Sequence, residues 1–251
     1  MPFRIRSLAR TDQGRVRTNN EDSFCDRFED GLWAVADGMG GHENGEWASA
    51  EVAAAMASVH LPATFEDACQ IIASALHRAN ARVWEAASDR GIQMGSTAVV
   101  LFLRGDRFAV LWVGDSRAYL LRDGVLHQLT RDHTQVQELV DRGLLSEAAA
   151  ADHPMAHVLA RAVGVQANVE VDVIVDEAQA GDVFLLCSDG LTGPVPGDVI
   201  GETLARADHD AAADALIRTT LERGAPDNVT FVMVVLDETT LLSVPAVEAV
   251  R

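Results

Sequence analysis

Apolar residues fall into short runs punctuated by glycine, asparagine and aspartate, with two longer amphipathic stretches between them. Residues 3 to 11 and 32 to 36 read as strands that end in glycine turns. The stretch 45 to 60 (GEWASAEVAAAMASVH) is rich in alanine, the best helix former, and stops before Pro62. A second helix follows, with Thr64 as N-cap, Asp67 three residues on, and an apolar face of Phe65, Ala68, Ile72, Leu76, Ala79 and Val83. Gly91 closes it.

Four apolar runs come next, at 97 to 103, 107 to 113, 118 to 121 and 125 to 129. Their joints, Arg104-Gly105-Asp106, Gly114-Asp115-Ser116 and Asp123-Gly124, are tight, which predicts an antiparallel meander. Residues 134 to 166 read as a mostly helical, Ala-rich insertion. Strands are expected near 169 to 175 and 183 to 187, helices near 197 to 206 and 208 to 223, and a last strand near 228 to 236. Strands interleaved with helix pairs but joined by hairpins predict an α+β fold, a four-layer αββα sandwich with two mostly antiparallel sheets between helix pairs. No linker, low-complexity block or fixed-period repeat divides the chain, so residues 1 to 237 are expected to form one domain, with 238 to 251 a flexible tail.

Composition narrows the chemistry. With 251 residues, 48% of them hydrophobic, the chain can bury a substantial core. Its 38 acidic against 20 basic residues give a formal charge of −18. That disfavours nucleic acid, which needs clustered cations. It would also repel a phosphorylated substrate unless a bound divalent metal inverts the field locally. Three cysteines, with no CxxC pair, exclude a disulfide framework or zinc knuckle. The opening MPFRIRSLARTDQG lacks the apolar core of a signal peptide, and no apolar run reaches the ~18 residues needed to span a bilayer. A cytoplasmic protein without membrane partners is the expectation.

Four aspartates stand beside glycine or asparagine at an end of an apolar run: Asp37 in LWAVADG, Asp115 in VLWVGD, Asp189 in VFLLCSDG and Asp227 in PDNVTFVMVVL. By contrast, Asp123 in Arg122-Asp123-Gly124 follows polar residues and reads as a plain hairpin tip. An unpaired carboxylate at the end of a buried strand is costly, and four gathered at one rim would need cations. Oxygen-only ligands favour Mg2+ or Mn2+ over zinc. No EF-hand spacing occurs, and Gly38-Met39-Gly40-Gly41 lacks the G-K-[ST] of a phosphate cradle. Ser116 and Ser188 lack a nucleophile elbow. His153 and His157 are four apart, but Pro154 stands where a zincin needs Glu, so both read as loop histidines. The polar stretch Arg17 to Asp22 could place an arginine on phosphate oxygens, with Glu21 and Asp22 holding water beside a metal.

Taken in order, RTNNED (17 to 22), DGMGG (37 to 41), GSTA (95 to 98), VGDSR (113 to 117), TRDH (130 to 133), RAVG (161 to 164), LLCSDGL (185 to 191) and DNVT (227 to 230) span nearly the whole domain. On these blocks the chain resembles the metal-dependent type 2C (PPM) serine/threonine protein phosphatases in their compact bacterial form. The resemblance implies an αββα sandwich and two Mn2+ or Mg2+ ions, with Asp37 bridging them, the Gly38 carbonyl on one, and Asp189 and Asp227 completing the other. Asp115 would hold a third, weaker ion shared with Asp189, and Arg17 would grip the substrate phosphate. Residues 134 to 166 would be the family's flap, beside the active site. Two such cations roughly 4 Å apart can deprotonate a bridging water that attacks phosphorus in line.

One departure stands beside Asp37. Eukaryotic relatives place a proton-donating histidine right after Asp-Gly, where this chain has Met39; His42 matches a histidine of bacterial relatives and is the candidate donor. The expected partners are phosphorylated proteins, substrates of a bacterial Ser/Thr kinase. The alternatives are a non-catalytic phosphoprotein-binding regulator and a metal-stabilised scaffold without turnover. Loss of a bridging aspartate or of Arg17 would favour the regulator, and none is lost.

Overall fold

A computed structural model describes residues 3–41, 43–151 and 153–238. His42 and nearly all of the expected tail lie outside the described residues. In chain order the elements are β1 (Phe3–Asp12), β2 (Asp22–Arg27), β3 (Leu32–Met39), α1 (Glu43–Ser58), α2 (Phe65–Arg90), β4 (Gly95–Ser96), β5 (Ala98–Arg104), β6 (Arg107–Val113), β7 (Arg117–Arg122) and β8 (Val125–Gln128). Then come α3 (Gln135–Asp141), α4 (Glu147–Ala151), β9 (Asp172–Glu177), β10 (Val183–Cys187), α5 (Asp189–Thr192), α6 (Gly197–Leu204), α7 (His209–Glu222) and β11 (Val229–Glu238).

The strands form two sheets, one in the order β1-β11-β10-β7-β8 and the other β2-β3-β5-β6-β9, with the short β4 added to β3. Every paired neighbour is antiparallel. Alternate residues of each strand point to opposite faces. Trp33, Val35, Leu101 and Val110 therefore meet Leu120, Phe184, Val232 and Val234 between the sheets, and Phe108 meets Phe184 edge to face at 4.9 Å. Ala34, Val100 and Phe102 pack outward under α1 and α2. On the far side Leu185, Phe231 and Met233 pack under α6 and α7. Both faces of the central strands are covered, which is why they read as continuous apolar runs. The αββα sandwich follows directly.

Helix α2 is capped as its sequence requires. Thr64 Oγ1 accepts from Asp67 N at 3.2 Å, and Gly91 closes the helix in the left-handed region at φ 64°.

Three expectations need correction. The four runs from 97 to 129 are not one meander: β5 and β6 belong to one sheet, β7 and β8 to the other. Gly114-Asp115-Ser116 is the crossing between sheets, and Gly114 makes it with φ 103°; a Cβ there would sit 2.7 Å from Thr97 Cγ2. The 134 to 166 insertion is mostly turns around the short helices α3 and α4, because Gly143, at φ 68°, and Pro154 break the alanine-rich pattern. The strand expected at 169 to 175 runs at Asp172–Glu177 instead. No helix of the described residues is long and apolar enough to cross a membrane.

Candidate metal centre

Asp37 lies near the end of β3, opposite Asp22 in the β2–β3 register, so their side chains share one face. Its backbone is held on both sides. Asp37 N donates to Thr97 Oγ1 at 2.9 Å, and its carbonyl accepts from Thr97 N at 2.8 Å and Ser96 Oγ at 3.0 Å. Thr97 Oγ1 is in turn 2.6 Å from Ser116 Oγ, joining the GSTA and VGDSR blocks. The next residue is glycine for want of space: a Cβ on Gly38 would lie 2.0 Å from the Gly45 carbonyl oxygen at the start of α1.

From the other sheet, β10 delivers Asp189 at the head of α5. Gly190 is pressed against β11's approach, where a Cβ would sit 1.7 Å from the Asn228 carbonyl oxygen. Ser188 Oγ donates to Asp22 Oδ2 at 2.8 Å and accepts from Thr230 N at 3.1 Å, crossing from one sheet to the other. Asp227 precedes β11; its Oδ1 accepts from Asn228 N at 2.8 Å and its Oδ2 from Arg17 Nη2 at 2.6 Å. Asn228 is the tie for the 13 to 21 loop. Its side-chain oxygen accepts from Glu21 N, and its Nδ2 donates to the carbonyls of Gln13 and Asn19, each at 2.8 Å.

These elements end at one cleft of about 840 Å3, lined by Asp37, Asp115, Asp189 and Asp227 together with Gly38, Arg17 and Glu21. The flap supplies the facing wall through residues 157 to 162 and Val165. Every sequence-chosen aspartate is therefore brought to one place, although the strands that carry them belong to two sheets.

The electrostatics are those of crowded acids. Burial first, then repulsion from Asp22, Asp189, Asp115 and Asp227, holds the Asp37 carboxyl well above its ordinary range. Burial pushes Asp22 up to about 7 and Asp115 up to about 7, the latter with help from Asp189 and Asp132. Asp189 is raised by burial and by Asp227. A hydrogen bond to Asp227 raises Arg17 above its usual value. One Asp22 oxygen, Oδ1, is buried without a hydrogen-bond partner.

Divalent cations fit this donor set. Among the described residues no three His, Cys, Asp or Glu side chains converge closely enough to hold an ion by themselves. Mg2+ and Mn2+ do not require that, since such hard ions take one or two carboxylates, backbone oxygens and water. A cation would also relieve the repulsion that pushes the carboxyls up.

Two features were not visible in the sequence. His157, read as a loop histidine, places Nδ1 3.8 Å from Asp189 Oδ2 while 77% exposed. Asp132, in the TRDH block, takes a bidentate grip from Arg117 at 2.9 and 2.7 Å, anchoring the strand after Asp115. The TRDH and DNVT blocks were visible as motifs, but the partners of Asp132 and Asn228 lie far away in sequence.

The comparisons with known proteins agree with the geometry. Residues 10–139 match the family described as Protein phosphatase 2C. The chain is 40% identical over 231 residues to the serine/threonine protein phosphatase PstP of Mycobacterium tuberculosis (strain CDC 1551 / Oshkosh), covering 91% of this chain and 44% of that protein's length. It is 38% identical over 241 residues to the serine/threonine phosphatase stp of Listeria monocytogenes serovar 1/2a (strain ATCC BAA-679 / EGD-e), covering 92% of this chain and 95% of that one. The solved catalytic domain of PstP, in complex with two manganese ions, superposes with a TM-score of 0.83 at 38% identity, over 93% of this chain and 99% of that chain. The chain belongs to the protein phosphatase 2C family.

Proposed function

We propose that this chain is a Mn2+- or Mg2+-dependent phosphatase that removes phosphate from serine and threonine residues of proteins. The observation that carries the reading is the meeting of Asp37, Asp115, Asp189 and Asp227 in one cleft with Arg17 at its edge.

Each residue has a part. Asp37 would bridge two ions, with the Gly38 carbonyl on one and Asp189 and Asp227 on the other; Asp115, with Asp189, would hold a third and weaker one. Such ions supply Lewis acidity, acidifying water and neutralising charge on the phosphoryl oxygens. Arg17 binds the substrate phosphate: its side chain is 52% exposed and uses Nη2 for Asp227, leaving guanidinium donors for phosphate. Glu21 lines the same cleft and Asp22 stands opposite Asp37 in the β2–β3 register, and the two would orient water beside the ions. Ser188 fixes Asp22, and Thr97 and Ser96 fix Asp37, so the acidic set is held before substrate arrives. His42 remains the candidate to protonate the departing serine or threonine oxygen and lies outside the described residues.

The reading extends to a cytoplasmic protein with one catalytic domain over residues 1 to 237, acting on phosphoproteins made by a cognate Ser/Thr kinase. The test is hydrolysis of p-nitrophenyl phosphate and a phosphothreonine peptide with Mn2+, comparing wild type with Asp37→Asn and Asp189→Asn. Both variants should lose activity; hydrolysis that survives either change overturns the mechanism, and binding without hydrolysis by wild type would favour the regulator.

A further inference from the structure

The segment that carries Arg17 leaves β1 at Asp12 and turns at residues 14 to 16. Its base is pinned. Gly14 N donates to Asp12 Oδ1 at 2.8 Å, Arg15 N to the Ala225 carbonyl at 3.0 Å, and Gln13 Nε2 to the Arg17 carbonyl at 2.7 Å. Gly14, at φ 78°, has no room for a side chain, since a Cβ would lie 2.2 Å from the Asp227 carbonyl oxygen. The turn sends its two arginines in different directions. Arg17 Nη2 reaches Asp227 at the metal cleft, whereas Arg15 Nε donates to the Leu221 carbonyl, in the last turn of α7, at 3.0 Å. Val16 stands between them, 67% exposed.

On the Arg15 side lies a second hollow, of about 420 Å3, whose lining includes Arg10, Arg15, Arg218, Asp214 and Glu222. It shares no lining residue with the metal cleft. Arg10 is committed to Asp214, at 2.9 Å from Nε and 2.8 Å from Nη2. Arg15 uses only Nε, which leaves both of its Nη groups open. Arg218, exposed on α7, makes no hydrogen bond or ion pair among the described residues. With Asp214 neutralised by Arg10, Glu222 is the one acid of the lining left to oppose two uncommitted guanidinium groups.

The chain around this hollow has 38 acidic and 20 basic residues. Its overall field repels an acidic peptide, so such a peptide can be preferred only where cations stand uncommitted. Guanidinium groups take carboxylate and phosphate oxygens alike, through paired N–H donors.

We propose that Arg15 and Arg218 form an anion subsite for the phosphoprotein substrate, which takes a carboxylate or a second phosphate two to four residues to one side of the phosphorylated residue. The proposal rests on the phosphatase reading. Arg15 and Arg17 are two residues apart, so their Cα atoms lie within about 7 Å of each other. An extended peptide, rising about 3.3 Å per residue, crosses that distance over Val16 while its phosphate stays in the cleft. A second phosphate carries more charge than a carboxylate and should gain more.

The experiment is steady-state hydrolysis, with Mn2+, of a phosphothreonine peptide with neutral flanks. It is compared with versions carrying one glutamate or one non-hydrolysable phosphonate two, three or four residues before or after the phosphothreonine. The quantity read is the ratio of kcat/KM for the acidic peptide to that for the neutral one, taken within each variant so that any change in the metal centre cancels. In wild type the ratio should reach about 5 or more on one side of the phosphothreonine and stay near or below about 1 on the other, with the gain carried by KM. Arg15→Gln and Arg218→Gln should each lower it towards about 1, and Glu222→Gln, which removes the opposing acid, should raise it about 2-fold or more. A gain with the phosphonate alone or with glutamate alone supports the subsite and identifies its source. The proposal is overturned if the wild-type ratio is at or below about 1 at every position, as the net charge alone predicts. A gain equal on both sides, or one that survives in the Arg15→Gln/Arg218→Gln double variant, overturns it as well. Should neither p-nitrophenyl phosphate nor any peptide be hydrolysed, the phosphatase reading fails; fluorescence anisotropy of the same peptides, labelled, then gives the ratio of their affinities and still decides the subsite.

Discussion

Arg17 donates from Nη2 to Asp227 Oδ2 at 2.6 Å, so the group assigned to the substrate phosphate and a group assigned to a cation share a contact. The pair is half exposed, 52% and 34% for the two side chains, and such pairs add at most about 1 kcal/mol to stability. Arg17→Ala should therefore leave Tm almost unchanged. It should lower kcat/KM for a phosphothreonine peptide by about 10- to 100-fold, the worth of a lost charge-assisted contact. Steady-state kinetics and Mn2+ titration check this together. Weaker Mn2+ binding with an unchanged KM would make Arg17 a support for Asp227 rather than a phosphate ligand.

If ions bind only the folded protein, Mn2+ at ~100 times its Kd should add roughly 2.7 kcal/mol of stability. For a domain of this size that is a rise in Tm of about 5 to 10 °C, reversed by EDTA. Thermal melts in the two buffers measure it. A Tm indifferent to both Mn2+ and EDTA would remove the cation site.

The metal-free protein should have an unusual response to pH. Asp22 and Asp115 are each pushed up to about 7, chiefly by burial, whereas an unfolded aspartate titrates near 3.9. The fold then holds these protons more tightly than the unfolded chain does. Stability from them is complete below about pH 4 and is lost as pH rises through about 7. Asp115→Asn cannot ionise, so in EDTA it should exceed wild type in stability by up to about 4 kcal/mol at pH 8 and match it at pH 4. Denaturant unfolding at the two pH values measures the difference. A difference that is the same at both would mean that Asp115 is not held protonated by the fold.

Legibility in the sequence followed the range of the interactions. Asp37 and Asp189 could be picked out because the strands before them are covered on both faces, and that cover is written locally as LWAVA and VFLLC. Helix α2 was legible for the same reason: Thr64, Asp67 and Gly91 act within a few residues of themselves. The crossing at Gly114 was not, since a glycine before an aspartate looks the same whether the chain turns back within a sheet or passes to the facing one; Thr97, far away in sequence, leaves no room for a side chain there. The flap misled because alanine favours helix locally, while its path is set by the neck contacts of His133 with Gly114 and Ala160. His157 had no local signal, because its approach to Asp189 depends on that path.

Asn228 offers the sharpest test of how the substrate arm is held. It is 4% exposed and makes three bonds of 2.8 Å to the 13 to 21 loop, accepting from Glu21 N and donating to the Gln13 and Asn19 carbonyls. Removing the amide strands a backbone donor and two acceptors at the base of the loop that carries Arg17. Asn228→Ala should cost about 2 to 4 kcal/mol of stability, the range for a broken buried network. Because the loop and not the carboxylate floor is released, KM for a phosphopeptide should rise more than kcat falls. Asn228→Asp keeps an acceptor for Glu21 N but loses both donations and adds a charge beside Asp227, so it should be no more stable than the alanine variant in EDTA and should gain more from Mn2+. Denaturation curves with and without Mn2+ decide it: an alanine variant as stable as wild type would mean that the arm is held by other contacts.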